Sequence, residues 1–392
     1  MKNVNRKVLL AAGTGFLRAY AGTLYLARQL VDHGCDLQTW VVCSEEEAAE
    51  YESLGIGAVC RTNAEGLWIL RKLAAIFYRF RLLFEMLRAR KVIITESTYL
   101  FEAVLAKLIG GKRVIFIQFS QELQLASEYP DFPRIQMMER LRLVRYARRI
   151  VDVEPNRARV RMEKLHLSEM PLVLRNTMPK SSMPPRDAPG SLQHLAGIKL
   201  PKDVPILLHM GGIGREKPLE RVIEAIAVCS KRVFFLAFCN GSADQIDRLN
   251  DYAAANLKSG SFSIVGPRKR DELLAAAWEA DVGIVDYSPS VENTSNQKYC
   301  APTKLYEFMA IGLAIVGSDN NSLREIIDQE AIGACAESGT IKDLSQALEK
   351  VVCNVYELHE MKRRSAIAFT SKYCYEELCL PVIKEIIELL DK

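Results

Sequence analysis

The sequence predicts an α/β protein made of two doubly wound domains joined by a linker and facing a cleft. Three observations carry that prediction. Short apolar runs alternate with helical patterns through both halves of the chain. A segment rich in Pro, Ser and Gly interrupts the alternation, which then restarts. The length, 392 residues, exceeds one ordinary core and suits two of moderate size.

In chain order, "KVLLAAG" (7–13) reads as a strand, followed by a turn at Gly13 and Gly15 and a helix, "YLARQLVDHG", ending at Gly34. "LQTWVVC" is a second strand, and "KVIITES" (91–97) and "RVIFIQFS" (113–120) are two more, with the helix "YLFEAVLAKLIGG" between them. Strands alternating with helices imply a parallel sheet, whose ligands sit at the carboxyl ends of the strands. Residues 179–205, with "PKSSMPPRDAPG" and "LPKDVP", form the linker. Then "PILLHMGG", "VFFLAFCNG", "FSIVG" and "DVGIVDY" read as strands, separated by the helices "PLERVIEAIAVC", "SADQIDRLNDYAAANL" and "KRDELLAAAWEA". "CAPTKLYEFMAIGLAIVGSD" (300–319) is a short helix carrying Lys304 and Glu307, ended by Gly312 and followed by a buried strand. The C-terminal part reads as helices broken near Pro381. The domains are therefore placed at 1–180 and 204–360, with a linker at 181–203 and helices at 361–392.

Composition narrows the class. Hydrophobic residues make up 49% and charged residues 26%, as in globular proteins. The ten cysteines stand singly, with no CxxC pair, mostly inside apolar runs. That pattern points to reduced thiols in a cytoplasmic protein, not to a disulfide framework or a zinc site. The N-terminal apolar run is short for a signal peptide, and no segment reaches the length of a membrane span. The five histidines (His33, His166, His194, His209, His359) are scattered and read as structural. The net charge of +4 hides an asymmetry: residues 1–180 hold 28 Lys+Arg against 19 Asp+Glu, and the remainder 24 against 29. The first half is the one suited to an anionic surface.

Two constellations carry chemistry. In "HMGGIGREKPLERVIEA", a strand runs into Gly211, Gly212 and Gly214 and then a helix. Such a turn lets backbone amides approach a phosphate at a helix N-terminus, and Arg215 and Lys217 add positive charge there. A plain tight turn with two solvated basic residues explains the same letters. The spacing lacks the Lys-Ser/Thr pair of a Walker loop. In the second constellation, Glu307 sits in the first turns of a helix, where a carboxylate can accept both hydroxyls of a ribose. It can equally be a favourable acidic residue in a helix capped by Thr303.

The residues from Pro302 to Asp319, P-x-K-L-Y-E-F-M-A-x-G-L-A-I-V-G-S-D, resemble the donor domain of GT-B glycosyltransferases, in the large retaining family (group 1, family 4-like) that includes many bacterial polysaccharide enzymes. "GGIGREKPLERVIEAI" resembles that family's phosphate turn, and "VLRNTMPK" (173–180) its exit from the first domain. The resemblance implies two Rossmann-like domains and a metal-independent transfer from a nucleotide sugar, UDP- or GDP-linked, to a glycan or lipid-linked acceptor in cell-surface polysaccharide synthesis. No cofactor or metal is implied, and no DxD motif is present. By position, Glu307 would bind the ribose, and Lys217 with Arg215 would neutralise the leaving diphosphate. Thr303, Lys304 and Leu305 would bring amides and charge to the phosphates. Val265, Gly266 and Pro267 would lie against the base, and Gly13 and Gly15 would face the phosphates with Gly212 and Gly214. The C-terminal helices would pack back on the first domain.

The chain departs from the family pattern in two places. Tyr299 stands where many members carry a second glutamate, so donor-sugar contacts differ. Gln121-Glu122 replaces a His-Glu pair; glutamine is no base, which leaves Glu122 as the acceptor-side candidate. Two alternatives stay open: a non-catalytic glycosyltransferase-like subunit, and a nucleotide-sugar 2-epimerase of the same fold.

One further segment stands out. "GLWILRKLAAIFYRFRLLFEMLRARK" (66–91) has seven basic residues and a single acidic one, Glu85. Ile69, Leu73, Ile76, Phe80, Leu83 and Leu87 form the expected core stripe. The opposite face, with Trp68, Arg71, Tyr78, Arg79, Leu82 and Met86, suits either an anionic membrane or burial. Together with "RIQMMERLRLVRYARR" (134–149), it makes peripheral contact at the inner face of the membrane an expectation. No nucleic-acid motif is present.

Overall fold

The structure is a computed structural model that describes the chain apart from residues 1–5, 14–20, 44, 54, 57–67, 185–190, 215–217, 288–293 and 392. Two compact units emerge: Met1–Asn176 with Leu378–Lys392, and Thr177–Glu377.

The first unit is built on six strands: β1 (Arg6–Ala11), β2 (Cys35–Trp40), β3 (Lys91–Thr95), β4 (Ile115–Ser120), β5 (Arg149–Asp152) and β6 (Leu172–Val173). All pair in parallel, in the order β2-β1-β3-β4-β5-β6. Near-continuous apolar runs such as Leu9–Ala11 and Val92–Ile94 are buried, as expected of strands covered on both faces. The helix Leu380–Asp391 belongs to this unit. Asp391 meets Arg6 at 2.7 Å and Lys91 at 3.5 Å, so the helix end ties together the starts of β1 and β3. Pro381 lies in the first turn of this helix, where its missing N–H is harmless. Arg161 is buried against Asp152 at 2.8 Å and also donates to Ser120 Oγ at 2.8 Å.

The helix Trp68–Ala89 departs in part from the sequence expectation: of the expected stripe, Leu83 and Leu87 pack against the core, but Ile76 and Phe80 do not. Leu82 and Met86 are fully buried, whereas Ile76, Phe77, Phe80 and Phe84 are 53%, 70%, 67% and 63% exposed. The side chains of 68–74 lie outside the described set, so Trp68, Ile69, Arg71 and Leu73 are not placed. The helix is apolar on two stripes, and periodicity cannot rank them. Contacts from other elements decide. Trp40 at the end of β2 stacks on Tyr78 with ring centroids 4.7 Å apart, and Arg81 lies 5.6 Å over the same indole. Arg79 pairs with Glu102 of the neighbouring helix Leu100–Gly110. The stripe that carries Tyr78 is thereby drawn inward.

The second unit holds β7 (Ile206–Gly212), β8 (Phe234–Asn240), β9 (Phe262–Val265), β10 (Val282–Val285), β11 (Ala314–Gly317) and β12 (Gly333–Cys335). These too are parallel, in the order β12-β11-β10-β7-β8-β9. Successive strands run outward from β7 to β9; the order then reverses, and β10 to β12 run outward on the other side. This is the doubly wound dinucleotide-fold order, and the crevice at its switch point lies past the carboxyl ends of β7 and β10. The helix Val355–Ala368 stays with this unit, and the chain rejoins the first at Leu378.

Candidate functional site

The switch point of the second unit gathers the sequence's two constellations. β7 ends in Gly211 and Gly212, and the helix Leu219–Val228 begins just past Pro218. Arg215 and Lys217, the expected diphosphate cations, lie in 215–217, outside the described residues, and so does Gly15 of the first unit. Gly13 is described and buried at the end of β1.

The helix Thr303–Ala310 is positioned by its buried face. Leu305, Phe308 and Met309 are core residues. Phe308 lies so close over β10 that a Cβ on Gly283 would sit 2.3 Å from its ring. Glycine at 283 therefore sets how near the helix approaches the sheet. With that face fixed, Lys304 crosses Gly211: a Cβ there would sit 2.6 Å from Lys304 Cε, and Gly211 has φ +127°. The Lys304 charge is also felt by the Cys239 thiol at the end of β8, although burial dominates and pushes that thiol up to about 12.

The N-cap of this helix is Pro302, with no side-chain cap; Thr303 is already helical. That corrects the capping expectation for Thr303. The fixed φ of proline starts the helix, and the N–H groups of the first turn lack intrahelical partners. Leu305 supplies only backbone here, because its side chain is in the core.

Glu307 is 8% exposed, and its Oε1 accepts a 2.7 Å hydrogen bond from Arg270 Nε. Arg270 opens the helix Arg270–Ala276, three residues after the segment Val265, Gly266 and Pro267. Reading along the sequence did not single Arg270 out; an arginine inside a run of charges carries no local signal. Arg268 donates to the carbonyls of Gly266 (3.4 Å) and Pro267 (3.1 Å), which stiffens that segment. Tyr299 is half-buried just before the helix, with Lys298 Nζ 5.5 Å from its ring centroid. At β10, burial holds the Asp286 carboxyl above its usual range, opposed by Arg221, whose Nε is 3.1 Å away. Tyr287 N donates to Ser318 Oγ at 2.9 Å, which joins the ends of β10 and β11.

In the first unit, Glu122 Oε2 lies 3.8 Å from Arg157. Gln121 is buried and structural: its amide donates to Thr23, its N–H to Glu96 (2.5 Å), and its carbonyl accepts from Arg157 (2.6 Å). His209 is buried. Among the described residues no group of His, Cys, Asp and Glu is arranged to hold a metal ion.

The second-unit arrangement offers a cation over a glycine turn, a helix N-terminus beside it, and a carboxylate held by an arginine. These can meet phosphates and a vicinal diol. Comparison with known proteins agrees in kind. Residues 193–368 match the family described as glycosyl transferases group 1. No curated protein matches the chain by sequence. Among solved structures, Anabaena HepE in complex with UDP and glucose aligns with TM-score 0.74 and 13% identity, over 99% of this chain and 100% of that one. Sucrose-phosphate synthase from Thermosynechococcus elongatus aligns with TM-score 0.73 and 13% identity, over 99% and 100%. A glycosyltransferase from Rickettsia africae aligns with TM-score 0.71 and 13% identity, over 98% and 99%. At such identities the likeness is one of fold, the two-domain α/β GT-B fold.

Proposed function

From the match of residues 193–368 to the family described as glycosyl transferases group 1, we propose that this protein is a metal-independent, retaining glycosyltransferase. It moves a sugar from a UDP- or GDP-sugar to a glycan or lipid-linked acceptor in cell-surface polysaccharide synthesis. The observation that carries the reading is Lys304 laid across Gly211, with Glu307 on the same helix held by Arg270 from the helix Arg270–Ala276. Glycosyl transfer develops positive charge on the sugar and negative charge on the departing diphosphate. Fixed donors and cations at the leaving group are the strongest lever available to a protein. Here the amides of the helix start at Thr303 and the Lys304 ammonium meet that charge, and Arg215 and Lys217 join them by position in the sequence. Glu307 accepts from the ribose through Oε2 while Arg270 holds Oε1. Val265, Gly266 and Pro267 lie against the base. Gly13, Gly15 and Glu122 are assigned to the phosphate and acceptor side of the first domain.

The test is calorimetric titration with UDP, GDP, ADP and CMP, with Glu307→Ala alongside. A single nucleoside diphosphate that binds wild type and loses at least tenfold affinity in the variant supports the donor site. Failure of all four to bind would overturn it and favour a non-catalytic subunit.

The partner side of the reading is an anionic membrane. Ile76, Phe80 and Phe84 form one exposed line on the helix Trp68–Ala89, and Leu105, Leu108 and Ile109 are exposed on its neighbour Leu100–Gly110. The exposed Arg88, Arg90, Lys112 and Arg113 follow at the helix ends. A two-fold pairing of this surface with a second copy would set these cations against each other, whereas an anionic bilayer complements them. Peripheral contact at the inner membrane face is part of this reading; among the described residues no helix is long and apolar enough to cross a membrane. Phe80→Ser with Phe84→Ser should abolish co-sedimentation with vesicles containing phosphatidylglycerol. Equal binding to neutral vesicles, or a dimer in solution that the same variant dissolves, counts against the membrane.

A further inference from the structure

The first unit has its own switch point, and a cavity lies beside it. Its strand order reverses between β1 and β3. Glu96, the residue directly after β3, stands at that reversal in the left-handed region, with φ 57°. A bulky side chain there is uncommon, and such conformations gather at functional sites. Glu96 Oε1 accepts from the backbone N–H groups of Gln121 (2.5 Å) and Glu122 (3.1 Å). Among the described residues none donates to Oε2.

Glu96 lines a cavity of about 420 Å³, within the range of small-molecule sites. The buried part of the lining sets the polar Glu96, Gln118, Ser120 and Arg161 beside the apolar Leu100, Met138 and Val144. Gln118 Oε1 is buried without a hydrogen-bond partner, a costly state in a protein at rest. The exposed part is cationic, with Arg140, Arg142 and Lys164. The other charges in the lining are already engaged. Arg161 is neutralised by Asp152, Glu139 accepts from Ala126 N at 2.8 Å, and Glu122 faces Arg157. The lining thus offers hydrogen-bonding groups beside an apolar wall in its depth and three exposed cations at its opening. Burial lifts the Glu96 carboxyl to about 8, so at neutral pH it carries little charge to repel an anion.

We propose that this cavity binds a single sugar unit that carries an anionic group, a carboxylate or a phosphate. The hydroxyls meet Glu96, Gln118 and Ser120, and the anion meets Arg140, Arg142 and Lys164. The identification of this unit as the acceptor rests on the transfer reading above; its binding does not.

The test is titration of the full-length protein with glucose, glucuronic acid, glucose 6-phosphate and inorganic phosphate. The two charged sugars bind at least tenfold more tightly than glucose or phosphate alone. Arg140→Ser with Arg142→Ser and Lys164→Ser brings the charged sugars down to glucose; these residues are exposed, so the fold is not at stake. Gln118→Leu weakens every sugar and leaves the weak phosphate signal in place. Affinity for the nucleoside diphosphate that binds wild type stays unchanged in both variants. Equal affinity for glucose and the charged sugars, binding that neither variant moves, or no sugar binding at all would each overturn the proposal. If none of UDP, GDP, ADP and CMP binds wild type while glucuronic acid binds and responds to the variants, the donor reading falls and this one stands.

Discussion

Lys304 lies across Gly211, with only 2.6 Å between its Cε and the place a Cβ at 211 would occupy. Two segments more than ninety residues apart in the chain, the glycine turn after β7 and the helix Thr303–Ala310, become one site through that contact. Gly211→Ala should therefore do two things. At φ +127° an L-residue is strained by about 1–3 kcal/mol, and the new methyl displaces the lysine chain. We expect a lower thermal midpoint and at least a tenfold loss of nucleoside-diphosphate affinity. A variant that binds as well as wild type would show that Lys304 does not contact the phosphates.

Arg270 orients Glu307 through a 2.7 Å hydrogen bond from its Nε. Its side chain is 43% exposed, so Arg270→Ala should cost stability no more than about 1 kcal/mol. Nucleotide affinity should fall several-fold, and Arg270→Lys should recover only part of it, because lysine lacks the planar fork. Titrations of both variants check this, and an unchanged affinity would make the ion pair merely structural.

The Arg161–Asp152 pair is almost fully buried in the first unit. Asp152→Asn leaves the guanidinium charge without its counter-ion, and loss of one partner of such a pair costs about 3–5 kcal/mol. Hydrogen exchange should show the loss in the first unit, with protection in the second unit unchanged.

Glu96 gives the chain a pH dependence of definite sign. Its folded pKa, about 8, lies above the ordinary value of 4.5, with burial as the main cause. Below the ordinary value both states are protonated, and nothing is lost. As pH rises towards 8 the unfolded state releases its proton first, so stability falls by at most about 1.4 kcal/mol per pH unit. Above 8 the loss levels off. The stability gap between Glu96→Gln and wild type should therefore widen in favour of the variant between pH 5 and 8, as followed by denaturant titration.

The strands, their alternation with helices and the two glycine-bounded turns could be read from the sequence, because apolar runs and glycines are local signals. Glu307 and Lys304 could be picked out for the same reason, since they share one short motif. Arg270, Glu96 and Gly283 could not. Arg270 is one arginine among several, Glu96 one carboxylate after a strand, and Gly283 one small residue within β10. Each matters only through a partner distant in sequence: Glu307, Gln121 and Phe308.

By itself the sequence determined the class of fold, the break between two α/β halves, the basic bias of residues 1–180 and the motif from Pro302 to Asp319. Only the tertiary structure decided which stripe of the helix Trp68–Ala89 is buried, the strand orders that create two switch points, and which cation crosses which glycine. The physical reason is that hydrophobic periodicity marks which faces can be buried, while the choice between two eligible faces is made by packing partners such as Trp40, which lie far away along the chain.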